Sequence, residues 1–417
     1  MARWIAAATT IGITPTSPVM LAGFASRAEP HTEVFSPLEA NLLLLDDGAT
    51  RVLLVSLDLL FVGSELLEFI RDTCEPHLPR ENVFVCATHT HGAPATDCRK
   101  PLLGGVDEGY MKLIKERLNA ALSDVFSQRG EVVIARLKQG AARHSINRRR
   151  TTCYWSQEGI RRVQEMAPNP AGFRDERIRI LELSSSNGKV QALIWHYACH
   201  PVSFPDLKLV TADFPGVARS ALRRSAGAVP VLYFQGFSGD IRPALIDRGD
   251  GKSWGRRVRD FLDGEKIVFG KSFARASLLQ WEAWVDSLAR AVTAVQTKLG
   301  TRINSAIRIG NYDFPIDRIR EGHSEYRMQF QQIAFGHQLK LLGVSAEVVS
   351  SYIRCLPSNT IGVGCVGDVF GYYPTDSMLS EGGYEVDEFA HYFDLPGSFR
   401  SGLNGEFRNA IREMEQA

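Results

Sequence analysis

Asn82-Val-Phe-Val-Cys-Ala87, followed at once by Thr88-His-Thr-His-Gly-Ala-Pro94, is the stretch whose reading decides the fold. The first six residues are an apolar, β-rich run of strand length, and the Gly and Pro that follow mark the turn out of it. Side chains two residues apart on a strand share a face, so His89 and His91 are expected to look into one cleft. Loops just beyond the carboxyl ends of strands are where α/β sheets hold their sites. Two histidines there suit a metal, although a pair bonded to nearby backbone would look the same in sequence.

Working outward, strand and helix runs alternate. Arg51–Ser56 reads as a buried strand and Ser64–Cys74 as a helix with Ser64 as its N-cap. Gly109–Phe126 reads as a helix and Glu131–Leu137 as a strand, with Ile178–Leu183 and Val190–Trp195 as a hairpin turning at Asn187-Gly188. Asp213–Ser225 reads as a helix with Pro215 near its start, Val229–Phe234 as a strand and Ser272–Leu299 as a long helix carrying Trp281 and Trp284. Segments 139–175 and 240–268 show less regular patterning. After Ile307-Arg-Ile-Gly a polar helical stretch is expected, then helices over Gln332–Val344 and from about Glu347, then a strand over Thr360–Cys365. With no internal repeat and no low-complexity linker, residues 1–417 read as a single large α/β domain. It is expected to have a mixed β-sheet core, helices, long loops and a site at strand carboxyl ends.

Composition bounds the function. The 417 residues are 44% hydrophobic and 23% charged, which suits a globular core, and the net charge of +1 gives no reason to expect a nucleic-acid partner. Arg148-Arg149-Arg150 reads as a solvated basic face. No apolar run reaches the roughly 18 residues of a transmembrane helix, and the amino terminus reads as a first strand rather than a secretory segment. Seven scattered cysteines without a C-x-x-C pair argue against a disulfide framework or a thiolate metal site, and make a reducing cytoplasm the simplest compartment.

A second histidine element, Trp195-His-Tyr-Ala-Cys-His-Pro-Val202, also ends an apolar strand. Pro201 favours an extended His200 that aims its ring out of the sheet, whereas His196 reads as a satisfied core or surface group. Asp58, just past a strand end, can orient a metal-bound histidine or cap the sheet. Asp213 reads as a helix cap.

Here a resemblance becomes specific. Thr88-His-Thr-His-Gly-Ala-Pro94 resembles the T-H-T-H-S-G-P motif of the neutral (non-lysosomal) ceramidases, and His196–Pro201 resembles their F-A-V-H-P. Gly236-Phe-Ser-Gly-Asp-Ile-Arg-Pro243 is similar to the G-D-V-S-P-N segment, and Gly343–Val348 to G-x-P-[GA]-E. Gly371-Tyr-Tyr-Pro-Thr375 and Gly383-Tyr-Glu385 resemble Q-Y-V-T-T and Q-Y-E-G. The motifs keep their order over about residues 10 to 390.

That resemblance implies a Zn2+ held by His89, His200, Glu347 and Tyr372, with His91, Arg148 and Tyr384 lining the reacting centre. It implies hydrolysis of a linear amide in a small-molecule or lipid-like N-acyl substrate. Two departures bear on this. Arg242 stands where the family has a serine, which excludes a serine acyl-enzyme there and makes Arg242 a candidate for binding a polar substrate group. The family's immunoglobulin-like carboxyl domain is not in these 417 residues, so a typical ceramide is not the expected substrate. Ester or lactone cleavage, acyl condensation, and ligand binding without catalysis are the alternative readings of the same residues.

Overall fold

The computed structural model describes residues 3–156, 159–245, 267–268, 273, 276–322 and 326–416. Eight strands form the body of the main sheet: β1 (Trp4–Gly12), β2 (Glu39–Asp46), β3 (Arg51–Leu57), β4 (Val83–Ala87), β5 (Glu131–Ala141), β8 (Arg177–Ser185), β9 (Val190–Tyr197) and β10 (Val231–Gln235). Their spatial order is β10-β9-β8-β5-β1-β2-β3-β4, and the short strand Thr301–Ile303 pairs with β5. The β9·β10 and β3·β4 pairs at the two edges are parallel and the rest are antiparallel. The amino-terminal strand and the β8–β9 hairpin, with Gly188 at φ 85°, bear out the sequence reading.

Alternation sorts the side chains into layers. Leu42 and Leu44 face helices α1 (Ser64–Cys74) and α2 (Glu108–Ser127), whereas Leu43 and Leu45 face a second sheet. That sheet runs β12 (Ile307–Pro315), β13 (Arg327–Phe335), β14 (Leu339–Val344) and β15 (Thr360–Val363). The helix Leu403–Gln416 covers its outer side. Helices α3 (Asp213–Ala226) and α4 (Leu278–Gln296) cover the other half of the main sheet through Phe214, Leu222, Trp281 and Val285. The α4 helix begins with a Ser277–Gln280 capping box, and the expected residues 272, 274 and 275 lie outside the described residues.

Four expectations are corrected. Residues 332–344 are not a helix: β13 and β14 form a hairpin turning at Gly336, whose φ of 54° favours glycine. Ile307–Pro315 is a strand of the same sheet, so the polar helical stretch expected after residue 310 is absent there. Segment 139–175 contains a long hairpin, β6 (Ser145–Ser156) with β7 (Gly159–Asn169), to which β11 (Ile241–Pro243) adds. Residues 246–266, within the segment 240–268 expected to be less regular, lie outside the described residues. Ser64 is the first residue of α1 and caps nothing; Gly63 precedes it with φ 77°. Asp107, not Ser64, is a true side-chain cap, accepting from the Tyr110 amide at 2.7 Å at the start of α2.

The main sheet curls until its two edges approach. Ser56 Oγ donates to the Tyr233 carbonyl at 2.8 Å and accepts from the Tyr233 amide at 3.2 Å. Asn41 Oδ1 accepts from the Val231 amide at 3.2 Å. Beyond the strand ends the gap is bridged by backbone: Gly364 donates to Gln235, Ala87 donates to Cys365, and Gly367 donates to Val85. The carboxyl ends of β4, β9 and β10 therefore open onto one place.

Ser56→Ala is expected to lower stability by about 1–3 kcal/mol, because it strands both Tyr233 backbone groups in a buried seam. Urea unfolding measures this as a lower midpoint with an unchanged slope; an unmoved midpoint would show that the seam is held otherwise.

Candidate metal centre

The three histidines come from the converging strand ends. His89 lies two residues past β4 with φ 65°, so the strand's alternation has already ended; the left-handed backbone, not a shared strand face, brings it beside His91. Ring centroids are 5.1 Å apart for His89 and His91, 4.8 Å for His89 and His200, and 6.2 Å for His91 and His200. One ligand-capable nitrogen from each lies within 4.8 Å of the others.

Each ring is fixed by its Nδ1 against a backbone carbonyl: His89 to Leu60 at 3.0 Å, His91 to Gly23 at 3.1 Å, and His200 to Ser238 at 2.7 Å. An Nδ1–H donated to a carbonyl leaves Nε2 as the lone-pair nitrogen, the tautomer a metal requires. Gly23, at φ 98°, is needed for its contact, since a Cβ there would sit 2.3 Å from His91 Nδ1.

Glu347 supplies the carboxylate. The short parallel pairing of Glu347-Val348 with Tyr372-Tyr373 sets Glu347 directly beside Tyr372. Glu347 is therefore not at a helix start, as the sequence suggested, but in an extended segment. Its Oε2 lies 2.9 Å from His200 Nε2 and 3.3 Å from His89 Nε2. Tyr372 Oη is 3.5 Å from His200 Nε2. Gly239 lets the loop after β10 lie on Glu347, because a Cβ there would approach the Glu347 carbonyl to 2.5 Å.

The electrostatics follow from burial. Burial lowers the His200 pKa to about 4, with Arg148 adding to the effect, and holds His91 well below its ordinary value, so both rings are neutral near pH 7. Burial alone pushes the Glu347 carboxyl up, but His89 and His200 outweigh it and hold the group well below the carboxylate range. Two of the convergent atoms, His89 Nε2 and His91 Nε2, are buried without a hydrogen-bond partner. Imidazole nitrogens left open beside a carboxylate are what a divalent N/O-seeking cation satisfies, and Zn2+ fits this donor set.

A cleft of about 310 Å³ opens over the cluster, lined by His91, His200, Arg148, Arg242, Tyr372 and Tyr384 among others. The residues that the ceramidase resemblance implied thus meet here, with His89 and Glu347 beside His200 and outside the cleft lining.

Arg148 and Arg149 contradict the expected solvated basic face: they are 4% and 6% exposed. Glu385, which sequence reasoning quoted but gave no role, spans both, accepting from Arg148 Nε and Arg149 Nη1 at 2.7 Å each. Arg148 Nη2 then donates to Tyr372 Oη at 3.2 Å. Asp240 was also missed. It accepts from Asn147 at 2.7 Å and from the Ser350 amide at 2.6 Å, and its carbonyl accepts from the Arg148 amide, joining three segments behind the cleft. A Gly-Asp pair after a strand end was the available signal.

The other candidates lie elsewhere. His196 is a core group bonded to the Gly362 carbonyl at 3.0 Å, as expected. Among the described residues Asp58 has no histidine partner; it pairs with Arg219 at 2.7 Å and accepts from the Glu39 amide at 2.9 Å. Asp213, at φ 51°, binds Ser203 and the Phe204 amide, so it pins the loop after His200 and caps the helix only through the adjacent Phe214 amide.

No family model matches this sequence, and no curated protein sequence does. Solved structures do match. The crystal structure of neutral ceramidase from Pseudomonas aeruginosa superposes with a TM-score of 0.72 at 13% identity, covering 100% of this chain and 75% of that one. A ceramidase complexed with C2 gives a TM-score of 0.73 at 12% identity, covering 99% and 75%. The chain is thus a mixed α/β protein with a buried histidine group consistent with a metal site, and its particular fold is that of the neutral ceramidases.

Glu385→Gln is expected to cost about 3–5 kcal/mol at pH 7, since it leaves two buried guanidinium groups without their shared carboxylate. Although burial opposes it, Arg148 and Arg149 depress the Glu385 pKa in the folded protein. Its stabilisation is therefore present above the ordinary carboxylate pKa and lost as pH falls through the depressed one. Chemical unfolding of wild type and variant should converge below about pH 4; a gap constant down to pH 2 would contradict this.

Proposed function

We propose that this protein is a zinc-dependent hydrolase that cleaves a linear amide bond in an N-acyl substrate, with residues 1–417 forming one hydrolase unit. The observation that carries the reading is the convergence of His89, His91 and His200 on Glu347, with two buried imidazole nitrogens left open beneath a cleft. The neutral ceramidase fold supports the choice of an amide over other bonds.

His89, His200, Glu347 and Tyr372 would hold the ion. When bound, Zn2+ supplies a Lewis acid for the carbonyl and acidifies a water towards neutrality. The chain's own groups do the rest. The hydroxyl of Tyr384 is kept protonated by burial and by Glu347, which push its pKa up, so at neutral pH it can donate to the oxyanion that develops on the carbonyl. Arg148 stays cationic: burial opposes its charge, but Tyr372 and Glu385 raise its pKa above the ordinary value. Its bond to Tyr372 Oη fixes that phenol beside the imidazoles. His91 lines the cleft and has its Nε2 free of a hydrogen-bond partner, so we assign it to binding substrate or moving a proton to the leaving amine. Arg242, on the cleft wall, binds the substrate outside the reacting bond.

All seven cysteines are free, which supports a reducing compartment such as the cytoplasm. No helix among the described residues is long and apolar enough to cross a membrane.

Purified protein assayed on N-acyl amides is expected to release the free acid. His89→Ala and His200→Ala each remove both bound metal and turnover, and Tyr372→Phe weakens metal retention as well as turnover. Tyr384→Phe lowers kcat by roughly ten- to a thousand-fold with metal content kept. Near-normal turnover in both tyrosine variants would remove their assigned roles, and full activity in metal-free protein would end the reading.

A further inference from the structure

The cleft has an uncompensated positive charge. Three guanidinium groups stand near the histidine cluster, and two are accounted for. Arg148 has Glu385 at 2.7 Å. Arg27 spends its nitrogens on backbone carbonyls of Leu207 at 2.7 Å, His91 at 2.6 Å and Ala22. Arg242 is different. Among the described residues it has no carboxylate partner and no oxygen acceptor; its neighbours are Met166 Sδ at 3.7 Å and the Phe273 ring at 4.9 Å.

The position is built rather than incidental. Arg242 sits on β11, which is pinned to β6 through Ile241–Asn147, Arg242–Ile146 and Pro243–Ser145 and held from behind by Asp240. Its backbone is therefore fixed, and its head lines the same small cleft as His91, His200 and Tyr384. Burial, with Arg148 nearby, lowers its pKa to about 10, which still leaves it charged at neutral pH. Arg242 is half-buried, flanked by Met166 and the Phe273 ring and without a carboxylate among the described residues, so an anion in the cleft gains an ion pair there without displacing another.

We infer that Arg242 reads a carboxylate on the substrate, so that the amides taken by this centre are anionic, with N-acyl amino acids as the simplest members of the class. This rests on the hydrolase reading above and names its substrate. A guanidinium fork matches a planar carboxylate bidentately. One uncompensated cation among the described residues of the cleft suits one negative charge, not a phosphate dianion. In an N-acyl amino acid the carboxylate is one carbon from the amide nitrogen, so a small cleft can hold it and the scissile carbonyl together. The rest of the molecule has an apolar place: Phe24, Val202, Phe204 and Phe273 line an adjoining cavity of about 270 Å³ that shares Arg242 with the cleft.

The test compares N-dodecanoylglycine with N-dodecanoylethanolamine and with N-dodecanoylglycine methyl ester, assayed for amide cleavage on the metal-loaded wild type. The carboxylate compound is expected to be preferred by at least about tenfold in kcat/KM, carried by KM. In Arg242→Met that ratio falls by about tenfold or more, and in Arg242→Lys it falls less. Calorimetry with N-dodecanoylglycine reads binding without turnover, and the binding is expected to weaken by the same factor in Arg242→Met. Preference for the neutral compounds in the wild type, or a ratio unmoved in Arg242→Met, overturns the inference while leaving amide hydrolysis standing. Arg242-dependent binding without cleavage of any of the three leaves the inference standing and removes the hydrolase. The ester comparison needs no variant, so it decides even if Arg242→Met does not fold.

Discussion

A buried carboxylate shared between two imidazoles is the constraint on which the rest of this structure depends. Glu347 lies 2.9 Å from His200 Nε2 and 3.3 Å from His89 Nε2, and these three residues arrive from three distant parts of the chain. A carboxylate that is 4% exposed is unfavourable unless cations or strong donors surround it. Histidine rings whose other nitrogens are held by backbone carbonyls give only part of that compensation, and a divalent cation would complete it. The fold can keep this arrangement because each residue is anchored separately: the His200 ring by the Ser238 carbonyl, the His89 ring by the Leu60 carbonyl, and the Glu347 backbone by its pairing with Tyr372.

The curled sheet makes that meeting possible. Edge strands β4 and β10 are far apart along the sheet order yet adjacent in space, because Ser56 and Asn41 hydrogen-bond across the seam and Gly364–Gly367 bridges the mouth. Helices cover one face and a second sheet the other, so the seam is dry and its hydrogen bonds carry weight. Around the cluster, Glu385 and Asp240 hold the arginine-bearing strand β6 in place. This leaves Arg148 aimed at Tyr372 and leaves Arg242 with its head in the cleft.

Which residues meet at the histidine cluster was largely legible because the motifs that carry them are local in sequence. The His-x-His after a strand and the His-Pro after another announce themselves, and the order of the motifs led to Glu347, Tyr372 and Tyr384. What could not be read was pairing. Residues 332–344 sit in a sheet buried on both faces, so the period-two alternation that distinguishes strand from helix is erased. The hairpin β6–β7 is charged and partly exposed, and it was taken as irregular for the opposite reason. Arg148 and Arg149 looked solvated because their counter-charge, Glu385, lies more than two hundred residues away. Likewise Asp58 is committed to Arg219, a partner that no local spacing reveals.

The central claim is that a metal is bound by nitrogen and oxygen alone. X-ray absorption spectroscopy at the zinc edge on purified, active protein tests it most directly. The account predicts about one zinc per chain with a first shell of imidazole nitrogen and oxygen scatterers and no sulfur, unchanged after the exposed cysteines Cys98, Cys153 and Cys355 are alkylated. A sulfur scatterer in that shell, or active protein containing no metal, would contradict it.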